Sequence, residues 1–241
     1  MKAMIFAAGL GTRLYPLTAE RPKALVEVGG KPLLQWVIEK IATAGIHEIV
    51  VNVHHFPHLI RDFLERNHSF GMTIHVSDES DELLDTGGGL MHAAEFLRGR
   101  EPVLIHNVDV LSNLDIKELV DYHLTRGGVA TLAVRERETQ RYLLFDREMR
   151  LTGWQNKNSG ELRRSLPAVE ERPLAFSGIH VADSRIFDLI ARRGKFSLIE
   201  AYLELAATQP VYGFHDHSSL WMDVGKPEQL RQAGEFFFSG K

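Results

Sequence analysis

The chain has 241 residues, with 28 Lys and Arg against 32 Asp and Glu, which gives a formal net charge of −4. Its composition, 44% hydrophobic and 25% charged, excludes a fibrous or largely disordered chain, and its acidic balance argues against nucleic acids and membrane surfaces as partners. No apolar run reaches the ~18 residues of a transmembrane helix, and without cysteines or a complete signal-peptide pattern the expected location is the cytoplasm.

Short apolar strands alternate with amphipathic helices in the first part of the chain. Strands are predicted over residues 2–8, 47–53, 73–77, 103–105 and 129–134. Helices are predicted from Leu33 to Ile41, over 57–66, after Gly89 and over 115–124. Strands that are apolar throughout belong to a parallel sheet covered on both faces. We therefore predict an α/β, Rossmann-like three-layer fold with a mostly parallel central sheet.

The pattern changes after Arg135. Short strands over 142–145 and 151–154 are predicted to pair as a hairpin. The remaining predicted elements are a polar stretch over 155–172, a strand over 174–181, helices over 184–192 and 197–208, a strand over 211–214 and a helix from Pro227. Because no repeat or long linker divides the chain, we predict one domain, 1–241, with halves 1–135 and 136–241 and the hairpin inserted in the second half.

A glycine-rich segment, Ala8-Gly9-Leu10-Gly11-Thr12-Arg13, follows the first strand directly. Glycine lets backbone N–H groups approach phosphate oxygens, and an arginine can add a bidentate contact. Leu14 stands where a dinucleotide-binding fingerprint requires glycine, and no Gly-Lys-Ser/Thr follows, so Rossmann dinucleotide and Walker loops are both disfavoured. A plain glycine turn after a strand is the alternative to a phosphate-binding loop.

Two aspartates stand at positions suited to a site. Asp109 follows the apolar strand 103–105, at the edge where α/β sheets bind ligands, and Asp223 in Trp221-Met222-Asp223-Val224-Gly225 precedes the last helix. Taken singly, each is typical of a helix cap or a turn.

The whole first segment has the pattern Gly9-x-Gly11-Thr12-Arg13-x-x-Pro16, then Pro22-Lys23-x-Leu25, then Gly30-x-Pro32-Leu33-Leu34. This pattern strongly resembles the signature of the sugar-1-phosphate nucleotidylyltransferases, also called nucleotide-sugar pyrophosphorylases. The resemblance implies transfer of a nucleotidyl group from an NTP to a sugar 1-phosphate with release of pyrophosphate. It also implies that residues 1–135 bind the nucleotide and residues 136–241 the sugar.

The resemblance assigns roles to the loop. Ala8, Gly9, Gly11 and Thr12 wrap the triphosphate, Arg13 binds the leaving pyrophosphate, and Lys23 lies on the reacting phosphates. A solvated loop lysine is the alternative for Lys23.

The aspartates resemble the two metal-binding aspartates of the family. Since two phosphates repel each other, the reaction needs a divalent metal, and Mg²⁺ prefers carboxylates together with phosphate oxygens. Asp109 and Asp223 are therefore the predicted Mg²⁺ ligands. Val108 stands where the family usually has glycine.

For the nucleobase, the resemblance places Thr86 and Gly87 beside the base and Glu79 at the base edge. A carboxylate can accept from uracil N3–H, or from guanine N1–H and N2–H₂ together, so these residues leave the base open. The run Gly87-Gly88-Gly89 and the resemblance to short members of the family favour UTP, with GTP and mannose or heptose 1-phosphate as the alternative.

On the sugar side, Asn156 and Lys157 occupy the region of the family's Glu-Lys-Pro motif, with Lys157 at the lysine that binds the sugar phosphate. Gly178 matches a strand glycine whose backbone lies against the sugar, although a packing glycine is the alternative.

Two other function classes are weighed against this one. A nucleotide-sugar-dependent glycosyltransferase also uses a strand-end aspartate with a metal, but gives no reason for Arg13 and Lys23. A non-catalytic nucleotide-sugar sensor is disfavoured because Arg13, Lys23, Asp109 and Asp223 are all present. The expected partners are small molecules, the NTP and the sugar phosphate, and the expected state is a monomer or homodimer, in which Phe236-Phe237-Phe238 closes the core or contacts the second copy.

Overall fold

A ten-stranded mixed sheet lies between two layers of helices. The computed structural model describes the backbone of residues 1–238 and the side chains of residues 1–235, so the prediction for the side chains of Phe236–Phe238 lies outside the described part. The strands are β1 (Lys2–Phe6), β2 (Glu27–Val28), β3 (Lys31–Pro32), β4 (Glu48–Val53), β5 (Thr73–Asp78), β6 (Val103–Asn107), β7 (Val110–Ser112), β8 (Ala130–Arg135), β9 (Arg141–Phe145), β10 (Leu151–Asn156), β11 (Leu162–Arg164), β12 (Arg172–Ala182), β13 (Val211–His215) and β14 (Trp221–Asp223). The α-helices are α1 (Leu33–Thr43), α2 (Pro57–Arg66), α3 (Asp85–His92), α4 (Ala94–Leu97), α5 (Ile116–Arg126), α6 (Ile186–Leu189), α7 (Leu198–Ala206) and α8 (Pro227–Phe238).

The sheet begins with four parallel strands in the order β6-β1-β4-β5. Strand β12 then runs antiparallel between β6 and β8, and β13 adds to β8 in parallel. The predicted hairpin is confirmed, because β9 and β10 pair antiparallel, and β9 joins this hairpin to β12. Strands of both halves of the chain therefore share one sheet, as the predicted α/β fold requires.

Alternation along β1 shows how the sheet divides the core. Ala3 and Ile5 point into the apolar cluster under α1, α2, α5 and α8, whereas Met4 points into the cluster under α3, α4, α6 and α7. Side chains of a strand alternate between the two faces, and all three are completely buried. The strand is apolar throughout because both of its faces are covered by helices.

Two predicted helices differ from the structure. Helix α3 begins at Asp85 and contains the glycines that were predicted to precede it. Gly87 packs directly against Phe196, and Gly88 packs against the carbonyl O of Gly194. The helix predicted over 184–192 is reduced to the single turn of α6. Five short strands, β2, β3, β7, β11 and β14, were not predicted.

Within residues 1–238, the helices fall short of the length and apolar character needed to cross a bilayer.

Candidate active site

The carboxyl ends of β1 and β6 open a cavity of about 250 Å³. The two strands run side by side in parallel, with Phe6 opposite Asn107, so the segments that follow them leave the sheet at the same edge. Phosphate-binding loops and metal ligands are found at this edge of α/β sheets. The lining residues are Phe6, Gly9, Gly11, Thr12, Arg13, Lys23, Thr86, Asn107, Val108, Asp109 and Gly225.

Lys23 is brought into this cavity by the tight folding of the loop. Gly11 has a left-handed conformation (φ 65°), and a Cβ atom there would lie 2.9 Å from the side chain of Thr18 and 3.0 Å from that of Lys23. Only glycine allows this approach without strain. Lys23 is 6% exposed, and its Nζ donates to Oδ2 of Asp109 at 2.5 Å, so a buried ammonium lies where phosphate oxygens would enter.

Asp223 reaches the same place from the other end of the chain. Strand β14 pairs with β7, with Asp223 opposite Val110, and the N–H of Val224 donates to the carbonyl O of Asp109 at 2.8 Å. Burial raises the pKa of Asp223, and the charge of Asp109 raises it further, while Lys23 and Arg13 lower it. The two carboxylates therefore lie close enough to repel each other.

The pair fits a hard divalent cation. Within residues 1–235, the Oδ1 atom of Asp223 is buried without a hydrogen-bond partner, and Asp109 commits Oδ2 to Lys23. Two carboxylates that repel each other, one with an orphaned buried oxygen, are the oxygen ligands that Mg²⁺ accepts. A cation between them would remove the repulsion and satisfy the orphaned atom.

A second, larger cavity of about 670 Å³ adjoins the first. Arg13 lines both cavities, and Asp223 lines the second, so the aspartate pair lies at their junction. The other lining residues are Arg137, Thr139, Arg141, Tyr142, Leu143, Trp154, Asn156, Glu161, Arg163, Phe176, Ser197, Ile199, Glu200 and Leu203.

Comparison with known proteins decides the family. The family model described as "Nucleotidyl transferase" matches residues 2–239. The chain belongs to the nucleotidyl transferase family. An N-acetylmuramate alpha-1-phosphate uridylyltransferase of Caulobacter vibrioides is 36% identical over 94% of this chain and 92% of its own length. A mannose-1-phosphate guanyltransferase of Debaryomyces hansenii is 32% identical over 95% of this chain, which spans 62% of that longer protein.

Solved structures agree on the fold of this nucleotidyltransferase. The UDP-glucose pyrophosphorylase of Acinetobacter baumanii superposes with a TM-score of 0.80 at 18% identity, covering 98% of this chain and 92% of that one. HddC of Yersinia pseudotuberculosis in complex with GMP-PN superposes with a TM-score of 0.76 at 23% identity, covering 98% and 99%. The predicted Rossmann-like fold is confirmed.

Most of the loop residues predicted to bind the nucleotide line the smaller cavity of this nucleotidyltransferase. Gly9, Gly11, Thr12 and Arg13 do so, while Ala8 is buried behind them. Thr86 lines it as well, and its Oγ1 accepts from the N–H of Leu198 at 2.9 Å.

Gly87, predicted to lie beside the nucleobase, makes its main contact with Phe196. Its N–H donates to the carbonyl O of Phe196 at 2.9 Å, and a Cβ atom at Gly87 would lie 2.2 Å from the ring of Phe196. Gly87 therefore joins α3 to the segment that leads into α7, and its N–H is not available to a nucleotide in this arrangement.

Glu79 does not face the cavity, in contrast to the expectation that it lies at the base edge. It is 3% exposed, its Oε1 accepts from Nδ2 of Asn52 at 2.7 Å, and its Oε2 accepts from the N–H of Leu84 at 3.2 Å. Both oxygens are occupied by protein donors, because the segment between β5 and α3 folds back over the carboxylate. Glu79 holds this segment in place.

The sugar-side predictions fall at three different places. Asn156 lines the larger cavity, whereas Lys157 is exposed and its Nζ lies 4.5 Å from the centre of the Tyr142 ring. Gly178 has φ 77°, and a Cβ there would lie 2.9 Å from Nδ2 of Asn107. Gly178 therefore packs closely against the end of β6, and its contact with the sugar stays a prediction.

Several residues that line the two cavities were not predicted from the sequence. Asn107 ends β6 beside Asp109, Arg137 lies in the connection between β8 and β9, and Arg141 is the first residue of β9. The run Arg135-Glu136-Arg137-Glu138-Thr139-Gln140-Arg141 carries three arginines next to the predicted hairpin. An anionic sugar ligand requires cations, and this local density of arginine was the available signal.

Proposed function

We propose that this nucleotidyltransferase transfers a uridylyl group from UTP to N-acetylmuramate α-1-phosphate, with Mg²⁺ held by Asp109 and Asp223. The observation that carries the proposal is the junction of the two cavities. Arg13 lines both of them, and the aspartate pair lies between them. A triphosphate in the smaller cavity and a sugar phosphate in the larger one would meet at that point.

The reaction follows from the charges of the substrates. The phosphate of a sugar 1-phosphate is largely dianionic at pH 7, because its second pKa is about 6, so it attacks without a general base. A new bond forms between a phosphate oxygen and the α-phosphorus of the NTP, and the bond to pyrophosphate breaks. No proton is transferred and no covalent enzyme intermediate is needed.

The residues of the site position the two substrates and neutralise their phosphate charges. Lys23 and Arg13 bring two positive charges against the reacting phosphates and the leaving pyrophosphate. Mg²⁺, when bound, neutralises further phosphate charge and orients the phosphate oxygens. Asn107 and the loop glycines form part of the remaining wall of the smaller cavity.

The choice of an acidic sugar rests on unpaired charge in the larger cavity. Arg163 forms ion pairs with Glu161 and Glu200. Arg13, Arg137 and Arg141 form none with the side chains of residues 1–235. With Arg13 at the reacting phosphates, Arg137 and Arg141 suit a ligand with more than one anionic group, and N-acetylmuramate 1-phosphate carries a carboxylate besides its phosphate. The relative from Caulobacter vibrioides, matched over nearly its full length, supports the same sugar and UTP.

A second candidate is guanylyl transfer to mannose or heptose 1-phosphate. It is favoured by the 32% identity with a mannose-1-phosphate guanyltransferase. Since both carboxylate oxygens of Glu79 are occupied, this residue supplies no argument for guanine over uracil.

The test is a matrix of the four NTPs against N-acetylmuramate, N-acetylglucosamine, glucose, mannose and heptose 1-phosphates, read by pyrophosphate release. Turnover is expected to be fastest with UTP and N-acetylmuramate 1-phosphate and to stop when a chelator removes Mg²⁺. N-acetylglucosamine 1-phosphate is the matched control, since it lacks the carboxylate. The variant Asp223→Asn gives the background.

Three results would contradict the proposal. Faster turnover with GTP across the sugars would favour the second candidate. Consumption of a nucleotide sugar without pyrophosphate release would point to a glycosyltransferase, and nucleotide binding without any turnover to a sensor.

A further inference from the structure

Arg137 is one of the cations that line the larger cavity. It lines this cavity together with Arg13 and Asp223, but unlike Arg13 it does not line the smaller one. The residue that the sequence resemblance assigned to the sugar phosphate, Lys157, lies instead on the exposed turn after β10, with its Nζ over the ring of Tyr142. The site thus has a cation near the aspartates that the sequence pattern did not predict.

The side chain of Arg137 is held in a fixed orientation. Its guanidinium carbon lies 4.5 Å from the centre of the Trp221 ring, and its Nη2 donates to the carbonyl O of Phe176 at 3.2 Å. Trp221 is itself fixed, since its Nε1 donates to the carbonyl O of Ser177 at 2.8 Å. An arginine that is stacked and hydrogen-bonded in this way loses little further freedom when it binds a ligand.

The charge of Arg137 has no carboxylate partner among residues 1–235. Burial lowers the pKa of Arg137, and the nearby charge of Asp223 raises it. Within the same described part, Nη2 is bonded to Phe176, while Nε is buried without an acceptor and Nη1 donates to no protein atom. A half-buried cation with unused donors next to Asp223 is arranged to receive an anion.

The position of Trp221 connects this cation to the metal-binding aspartate. Trp221 and Asp223 lie in the same strand, β14, which is held against β7 directly after Asp109. Arg137 stacks on Trp221, and Trp221 lies in the strand that carries Asp223 and pairs with the strand after Asp109. These contacts fix the position of Arg137 relative to both carboxylates.

We propose that Arg137 binds the phosphate of the sugar 1-phosphate and holds its attacking oxygen beside Asp223, in the role that the resemblance gave to Lys157. This inference rests on the proposed nucleotidylyl transfer. Arg137 keeps its proton throughout, since the step forms the bond from the sugar phosphate oxygen to the α-phosphorus and breaks the bond to pyrophosphate. Its contribution is to bind and orient one of the two reactants.

The test compares Arg137→Gln with Arg135→Gln. The guanidinium carbon of Arg135 lies 5.7 Å from the centre of the same Trp221 ring, and its Nη2 donates to the carbonyl O of Ser219. Arg135 does not line the larger cavity. In Arg137→Gln, the KM for the sugar 1-phosphate is expected to rise about ten- to hundredfold, as loss of a charge-assisted hydrogen bond implies. The KM for the NTP should stay within about twofold of wild type, and Arg135→Gln should leave both constants nearly unchanged.

Two further variants complete the experiment. Arg137→Lys keeps the charge but has no planar fork, so an intermediate rise in KM is expected, and this variant retains the test should the glutamine variant not fold. Lys157→Ala is expected to change the KM for the sugar phosphate less than Arg137→Gln does.

The inference is overturned if Arg137→Gln leaves the KM for the sugar phosphate unchanged, or raises the KM for the NTP equally. It is also overturned if the loss appears with N-acetylmuramate 1-phosphate and is absent with N-acetylglucosamine 1-phosphate, because Arg137 would then bind the carboxylate. Titration calorimetry with glucose 1-phosphate on the same variants separates this inference from the proposed function. A wild type without turnover contradicts the function, whereas weaker binding to Arg137→Gln than to Arg135→Gln still supports the phosphate site.

Discussion

Asp109 and Asp223 come from distant parts of the chain, and their close approach rests on main-chain contacts of Asp109 and Val224 and on the pairing of β7 with β14. Replacing either by asparagine keeps the shape of the side chain and removes one negative charge that a metal needs. We expect Asp109→Asn and Asp223→Asn each to lower turnover by about a thousandfold or more. Pyrophosphate release at saturating Mg²⁺ measures this, with circular dichroism as the check on folding. Near-normal turnover in either variant would rule out the assigned metal site.

Glu79 illustrates how one residue is given a different role by its surroundings. Its neighbour Asn52 cannot reverse its amide, because Oδ1 of Asn52 accepts from the N–H of Ala7 while Nδ2 donates to Glu79. In Glu79→Gln one of the two protein donors, Asn52 or Leu84, therefore loses its acceptor. We expect a loss of about 1–3 kcal/mol in the free energy of unfolding, and an equal effect on turnover with UTP and with GTP.

The control for this prediction is Glu82→Gln, an exposed glutamate in the same segment. Urea unfolding of the two variants gives the stability difference. A large change in the ratio of UTP to GTP turnover, with stability intact, would restore Glu79 to the base edge.

At the scale of elements, periodicity predicted the long helices and the central strands well. The helix predicted over 57–66 has the bounds of α2, and the strands at 47–53, 73–77 and 103–105 overlap β4, β5 and β6. These elements each bury a continuous face, so their hydrophobic pattern is visible in the sequence. By contrast, β7, β11 and β14 have three residues each, too few to show any period.

The site was predictable to the extent that its residues belong to a local pattern. Gly9 to Arg13 and Lys23 lie in one short segment, and all but Leu10 line the same cavity. The register of β7 against β14 and the stacking of Arg137 on Trp221 depend on contacts between distant segments. Neither the register nor the stacking produces a recognisable pattern in the neighbouring sequence, and so neither was predicted.

Helix α3 shows tertiary contacts prevailing over helix propensity. Glycine costs about 1 kcal/mol per residue inside a helix relative to alanine, yet Gly87, Gly88 and Gly89 all lie within α3. In Gly87→Ala, the new Cβ would lie 2.2 Å from the ring of Phe196 and 2.9 Å from its carbonyl O. We expect a net loss of about 1–3 kcal/mol in the free energy of unfolding, because overpacking outweighs the gain in propensity.

The matched control is Gly234→Ala in α8, whose Cβ would have no atom of the described residues within 4 Å. Urea unfolding of both variants measures the difference, and Gly87→Ala combined with Phe196→Ala should relieve the overpacking in α3. Equal stability of Gly87→Ala and Gly234→Ala would show that the segment at Phe196 yields at no cost.

At the scale of the whole molecule, the sheet carries buried histidines on both of its faces. His106 in β6 lies on the side of α1, where burial lowers its pKa to about 4 despite a hydrogen bond to the carbonyl O of Asn107. His180 in β12 lies on the opposite side against Tyr202, where burial lowers its pKa to about 3. Both ring nitrogens of His180 lack a partner within residues 1–235. Both residues are therefore neutral in the folded protein at neutral pH.

These lowered pKa values make the stability of the fold depend on pH. An unfolded histidine has a pKa of about 6.5 and takes up a proton below it, while folded His180 does not until the pH approaches 3. The stabilisation is fully present above about pH 6.5 and is lost as the pH falls toward the folded pKa. Each such histidine contributes a slope of about 1.4 kcal/mol per pH unit in that window.

The variant His180→Met tests this, since it fills a similar volume, removes two unpartnered buried nitrogens and cannot take up a proton. Urea unfolding between pH 4.5 and 8 should show the wild type losing stability more steeply below pH 6.5 than the variant, by about 1.4 kcal/mol per pH unit. Near pH 8 the variant should be as stable as the wild type or more so, because no buried hydrogen bond is lost there. If the free energies of unfolding of the two proteins change with pH in parallel, His180 takes up a proton in the folded state. This would require the sheet to open at β12 and admit water, and it would contradict the prediction.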